Sequence, residues 1–188
     1  MEIRIEPLSE KNVSSFFTLM ESVDFQATPH WSSCFCRFYY TTCSMNDWKS
    51  RSGITNKEEV IDAVKNNQMF GFLAFSNNRP IGWVNAADAG LLKRLDEVVK
   101  PYMIEKRYAA TICFVIHNEF RGMKVATRLL EHAMLYFKNL GFDGMLAMPF
   151  DHPVDKQKEY RGSYSLYQKL GYVVIEEKDQ VKLMKYDF

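Results

Sequence analysis

Anion binding is the first chemistry this chain suggests, in the stretch CFVIHNEFRGMKVATRLL from Cys113 to Leu130. The stretch opens as an apolar strand-like run, passes through a polar turn with one glycine, and closes with helical periodicity. The first N–H groups of a helix have no intrahelical partner, and the helix dipole adds positive potential beside them. Such a turn can hold a phosphate. Arg121 and Lys124 put two positive charges at the same place. The candidate anion-binding residues are therefore Arg121, Gly122, Met123, Lys124, Val125, Ala126 and Thr127. The same pattern also fits an ordinary β–α turn with solvated basic side chains.

A second cluster raises a metal question. His30, Cys34, Cys36 and Cys43 carry zinc-ligand chemistry. Their spacing, His-x3-Cys-x-Cys-x6-Cys, is awkward for one tetrahedral ion, and aromatic residues separate the thiols. Free cysteines that pack as small apolar groups are the expectation, with no metal and no disulfide.

The elements around these residues follow from periodicity. EIRIEPL alternates as a strand, and Ser9 offers an N-cap to a helix carrying Val13, Phe16, Phe17 and Met20. Residues 25–55 show no clean period. Thr55 with Glu58 three places on reads as a capping box. It would open a helix over TNKEEVIDAVKNN. MFGFLAFS and PIGWVNAAD form a hairpin around NNRP. Residues 88–106 read as an insertion or a helix. YAATICFVIH is the most strand-like run, and the helix after it stops at Gly141. DGMLAMPF is a buried strand, SYSLYQKL a short helix stopped by Gly171, and YVVIEE and VKLMKYDF a last hairpin. Strand–helix–strand over residues 108–150 implies a parallel pair with a crossover helix. The expected fold is a mixed, mostly antiparallel α/β sheet in a single domain, residues 1–188.

Bulk composition narrows the partners. The 188 residues are 47% apolar and 25% charged, with net charge +1 and no basic run. That disfavours a nucleic-acid partner. No apolar run is long enough to span a bilayer, and no signal-like segment opens the chain. A cytoplasmic protein with reduced thiols is the expectation.

Two motifs carry a resemblance. RGMKVA supplies Arg121 and Ala126 of the Arg/Gln-x-x-Gly-x-Gly/Ala signature, with Lys124 in place of its middle glycine. YQKLGY supplies Tyr167, Gly171 and Tyr172 of a Tyr-x-x-x-Gly-aromatic marker. In this element order, the chain resembles the GNAT superfamily of acyl-CoA N-acyltransferases. The resemblance implies helices on both faces of the sheet and a central parallel pair splayed around acyl-CoA.

It implies a site as well. Acetyl-CoA, as co-substrate, would lie along Phe114, Val115 and Ile116, with its pyrophosphate on residues 121–127. Tyr167 would protonate the departing thiolate. The acceptor would be an amine on a small molecule or a peptide, and a homodimer is a possible assembly. Lys124 is expected in the ordinary right-handed first turn, where any L-residue fits. Glu21, Asp24, Asp88, Asp151, His152 and Glu159 are the candidate bases. Trp31, Phe35, Phe38, Tyr39 and Tyr40 suit an aromatic acceptor pocket. A GNAT-like module that binds CoA or a partner without turnover is the competing reading, as is an anion site for another phosphate.

Overall fold

Two antiparallel hairpins and one crossover build the sheet. The computed structural model of the chain describes residues 2–23, 25, 29–151 and 160–188, the side chains of Pro29 and His30 excepted. The strands are β1 (Arg4–Pro7), β2 (Phe72–Ser76), β3 (Arg79–Asp88), β4 (Tyr108–Ile116), β5 (Gly144–Ala147), β6 (Val173–Lys178) and β7 (Val181–Asp187). They form one seven-stranded sheet in the order β1-β2-β3-β4-β5-β7-β6. Only β4 and β5 run parallel. Asn77 and Asn78 close the β2–β3 hairpin at φ 48° and 64°. Paired positive φ values are what a two-residue hairpin turn requires, and asparagine tolerates them.

The helices are α1 (Val13–Ser22), α2 (Met45–Ser50), α3 (Gly53–Lys65), α4 (Asp96–Val99), α5 (Val125–Asn139) and α6 (Tyr164–Lys169). Two caps differ from the sequence expectation. Asn12, not Ser9, precedes α1, and the Ser9 N–H donates to Asn12 Oδ1 at 2.8 Å. Ser52, not Thr55, caps α3, accepting from the Thr55 N–H at 3.0 Å. The helix therefore starts one turn early. Gly53 falls at its first position, where glycine breaks no intrahelical bond. Residues 29–52, within the aperiodic stretch 25–55, and residues 88–106, read as an insertion or a helix, form mostly single 3-10 turns with the short helices α2 and α4. Elements this short cannot show a period.

Both faces of the sheet are covered. On one, Phe16 and Leu19 of α1 pack with Trp83 and Ile112. On the other, Leu129, Leu130, Ala133 and Phe137 of α5 pack with Phe72, Val84 and Met145. Each such side chain contributes about 1.5–3 kcal/mol through burial. α5 ends before Gly141, at φ +75°, and α6 before Gly171, at φ +88°.

The parallel pair is short. β4 pairs with β5 only through Tyr108–Thr111 opposite Gly144–Ala147. On its other edge β4 pairs with β3, and the register slips between Asn85 and Ala86, which face Cys113 and Thr111. Ile112 is thus an extra residue on β4, a bulge that bends the strand. β5 stays with β7: the Lys182 N–H donates to Pro149 O at 2.9 Å, and Phe150 bridges Val181. Beyond Thr111 the two parallel strands separate.

Gly144 sets how closely they meet. A Cβ built there would lie 2.1 Å from Tyr186 O and 2.7 Å from Tyr108 Cε1. Gly144→Ala is expected to cost about 2 kcal/mol by overpacking, seen as a lower denaturant midpoint. An unchanged midpoint would mean that β5 can back away from both neighbours.

Candidate functional site

Where β4 and β5 part, a cleft of about 1370 Å³ opens. Its floor is Cys113–Ile116 of β4. Phe114 and Val115 are buried and Ile116 is half-buried. Among the described residues, this stretch has a strand neighbour only on the β3 side. Its other backbone edge can pair with an extended ligand, the geometry of strand addition.

The turn at the end of β4 leads into α5. The first bond of α5 runs from the Arg128 N–H to Lys124 O at 3.1 Å. The N–H groups of Val125, Ala126 and Thr127 precede it and have no acceptor among the described residues. Arg121 and Met123 use theirs on Asn118 O and Phe120 O, while Gly122 and Lys124 do not. Arg121, Gly122 and Lys124 to Thr127 line the cleft; Met123 does not, and stands 51% exposed. Arg121 Nε donates to Ile116 O at 3.4 Å, and neither Arg121 nor Lys124 joins an ion pair among the described residues. Unpaired N–H groups and two cations face one end of the cleft.

Lys124 departs from expectation. It caps α5 at φ 62°, ψ 19°, in the left-handed region. Gly122 also has positive φ, at 77°. A non-glycine residue costs about 1–2 kcal/mol there. The place asks for glycine because of its torsion, not merely for room, and the lysine sits against that preference.

Tyr167 of α6 is fully buried, and its hydroxyl donates to Arg161 O at 2.7 Å. Burial, with Tyr172 beside it, holds its pKa well above that of a free phenol. The hydroxyl is therefore protonated across the physiological range. Tyr167 is not itself a lining residue; Gly162, Ser163 and Leu166 are. Gly162 has φ +82°, and a Cβ on it would lie 3.2 Å from that hydroxyl. This glycine lets the chain pass over the tyrosine.

Opposite β4 stands an aromatic wall. Trp31, Phe35, Phe38 and Tyr39 line the cleft, joined by Trp48 and Tyr160. Tyr40 does not line it; its hydroxyl reaches Asn85 Oδ1 beneath the floor, at 2.8 Å. Trp31 meets Tyr160 edge-on at 5.0 Å and Phe38 meets Trp48 at 5.2 Å. Three distant polar side chains pin the wall. Arg94 covers the Phe38 ring at 4.3 Å and donates to Phe38 O and Cys43 O. Arg161 donates to Tyr39 Oη at 2.9 Å and to Tyr160 Oη at 3.2 Å. Asn56 Nδ2 donates to Ser33 O at 2.8 Å. Nothing local in the sequence marks these residues, because each reaches a partner far along the chain.

The cysteines are free thiols, and Cys36 Sγ lies 3.8 Å from Cys113 Sγ. Burial pushes the Cys34 thiol up to about 12. The contact with Cys113, then burial, pushes Cys36 up as well. The His30 side chain is outside the described residues. So are Asp24, His152 and Glu159. The other candidate bases are engaged away from the cleft: Glu21 with Lys57, Asp88 with Arg107, and Asp151 with Lys182. Among the described residues, no aspartate, glutamate or histidine lines the cleft.

The family model for GNAT acetyltransferases matches residues 26–172. This chain belongs to the GNAT acetyltransferase family. Solved structures share the fold. The PaiA N-acetyltransferase of Thermoplasma acidophilum, in complex with coenzyme A, is 16% identical over 100% of both chains, with TM-score 0.58. A Drosophila melanogaster polyamine N-acetyltransferase that forms N-acetylagmatine is 14% identical over 100% of both chains, with TM-score 0.62. The NatC complex bound to Gag peptide and CoA is 14% identical, covering 98% of this chain and 96% of that one, with TM-score 0.54. No curated protein sequence matches the chain.

Within this GNAT chain the left-handed lysine is open to a direct check. Lys124→Gly is expected to be more stable than Lys124→Ala by about 0.5–1 kcal/mol, because only alanine keeps the torsional cost. That reverses the order found in helix interiors. Equal melting temperatures would argue against a left-handed Lys124.

Proposed function

We propose that the protein is an acetyl-CoA-dependent N-acetyltransferase, a single domain over residues 1–188, that acetylates a primary amine by direct attack. The observation that carries this reading is the continuity of the cleft. One end offers the free N–H groups of Gly122 and Lys124–Thr127, the middle offers the open edge of β4, and the far side offers the aromatic wall. A pyrophosphate, an extended pantetheine arm and an acceptor call for those three surfaces in that order.

Acetyl-CoA supplies an activated thioester. The chain's own residues do the rest. Phe114, Val115 and Ile116 hold the arm by their backbone. A β4 N–H polarises the carbonyl as negative charge develops on its oxygen. The amine nitrogen forms the C–N bond and the C–S bond breaks. The amine's proton leaves to water, and Tyr167 gives its proton to the thiolate. Burial keeps the phenol protonated until the thiolate forms, and water returns a proton to the tyrosine afterwards. To do so, the Tyr167 hydroxyl must exchange its bond to Arg161 O for one to the sulfur. Lys124 and Arg121 add charge beside the pyrophosphate.

The engaged hydroxyl also favours a second reading, a silent CoA-binding module. Two measurements separate the two. Millimolar acetyl-CoA is expected to raise the melting temperature by mass action; an unmoved melting curve would sink both. Thiol release across a panel of amines then distinguishes enzyme from module.

Tyr167→Phe is expected to lower turnover roughly a hundredfold with little effect on acetyl-CoA binding. Unchanged turnover, with chemistry rate-limiting, would remove Tyr167 from the mechanism. Trp31→Ala or Tyr39→Ala is expected to raise the acceptor's KM more than that of acetyl-CoA. Equal effects on both substrates would leave the wall a packing role alone.

A further inference from the structure

Among the described residues that line the cleft, Asn85 carries a buried side-chain nitrogen with no hydrogen-bond partner. Asn85, on β3, has no exposed surface and belongs to the lining of the cleft. Its Oδ1 accepts from the Tyr40 hydroxyl at 2.8 Å. That hydroxyl has a second, longer acceptor in Phe70 O at 3.2 Å, and its oxygen accepts from the Phe70 N–H at 3.4 Å. Its Nδ2 has no hydrogen-bond partner among the described residues. A buried amide left in that state carries its full desolvation penalty, so such groups call for an explanation.

Position supplies one. Asn85 is the ladder partner of Cys113, at the slip in register that bends β4. Paired residues on neighbouring antiparallel strands lie about 5 Å apart. The amide is therefore beside the start of the Cys113–Ile116 floor, on the face that carries Trp83 and the aromatic wall. Arg51 also lines the cleft, but its Nη2 is ion-paired with Glu59. Asn85 has no such compensation.

An N–H2 donor wants an acceptor atom, and an ammonium cannot supply one. Resting on the acetyltransferase reading, we infer that Asn85 Nδ2 donates to a carbonyl or carboxylate oxygen that the acceptor carries within a few atoms of its amine. The substrate class is then an α-amino acid or α-amino amide with an apolar or aromatic body, not a polyamine. The wall takes the body. Lys49 at the lining adds positive charge, which suits an oxygen-bearing acceptor and repels a polycation.

The test compares ligands that share a body and differ in the oxygen. Phenylalaninamide and phenylalanine are titrated against phenethylamine and putrescine into the full chain loaded with CoA, and the heat of binding is followed. The better oxygen-bearing ligand is expected to bind about tenfold tighter than phenethylamine, the worth of one buried hydrogen bond. Putrescine is expected to bind weakest. Phenylalanine ahead of its amide indicates a free amino acid; the reverse order indicates a peptide amino terminus. In Asn85→Leu, close in volume, the ratio is expected to fall to near one, and likewise in Asn85→Ala. Side-chain N–H2 resonances make the same test in the unsubstituted protein: Asn85 is expected to shift with phenylalaninamide and not with phenethylamine. A flat ratio in the unsubstituted protein, a ratio preserved in either variant, a silent Asn85 resonance, or putrescine as the tightest ligand would each overturn the inference. Binding needs no turnover, so the two readings fail separately. A retained ratio without thiol release sinks the transferase alone, and thiol release with a flat ratio sinks the recognition by Asn85.

Discussion

β4 and β5 share a ladder for four residues and then part, and the site is a consequence of that parting. Two neighbours enforce it. β3 holds the far half of β4 across the bulge at Ile112, while β7 holds the chain beyond β5 through Pro149 and Phe150. Each parallel strand is tied to an antiparallel partner that leads it away from the other. Backbone groups on the opened edge must still be satisfied, by water or by a ligand. An opening at the carboxyl ends of parallel strands is where ligands bind in open α/β sheets. Here it also receives the start of α5, so strand edge and helix dipole meet in one cleft.

Strain gathers at the same place. Lys124 holds a left-handed torsion at the head of α5, and Phe35 and Cys36 do so in succession beneath the aromatic wall, at φ 42° and 55°. Such torsions persist only where the surroundings over-determine them. Around Phe35 and Cys36 the surroundings are visible: the Phe17 ring lies 5.7 Å from Phe35, and the Cys113 thiol meets Cys36. Long-range bonds do the same for the rest of the wall. Arg94, Arg161 and Asn56 fasten irregular chain to the sheet and helices, giving loops the fixed shape that recognition needs.

Arg161 joins two parts of the site. Its guanidinium holds the Tyr39 and Tyr160 hydroxyls, which themselves meet at 2.8 Å, and its carbonyl accepts a hydrogen bond from the Tyr167 hydroxyl. The acceptor wall and the candidate acid therefore share one residue.

By itself the sequence determined the periodic elements and the family. The alternation of β2 and β3, the apolar run of β4, the face of α5 and the glycine stops at 141 and 171 are local signals, legible because each depends on neighbours a few residues away. RGMKVA and YQKLGY, in that order of elements, pointed to GNAT. Tertiary structure decided what depends on distant partners. Lys124 reads as an ordinary helix residue until the turn from β4 fixes its torsion. The cap of α3 moved to Ser52 because a serine one turn earlier could serve equally well in one dimension. The turns of residues 29–50 have no period, since their order comes from Arg94, Arg161 and Asn56. Asn85 is one more residue of the strand PIGWVNAAD; only the fold buries it, turns one end to Tyr40 and leaves the other without a partner among the described residues. Local periodicity is written in the chain, whereas a buried donor without a partner exists only once every possible partner has been placed.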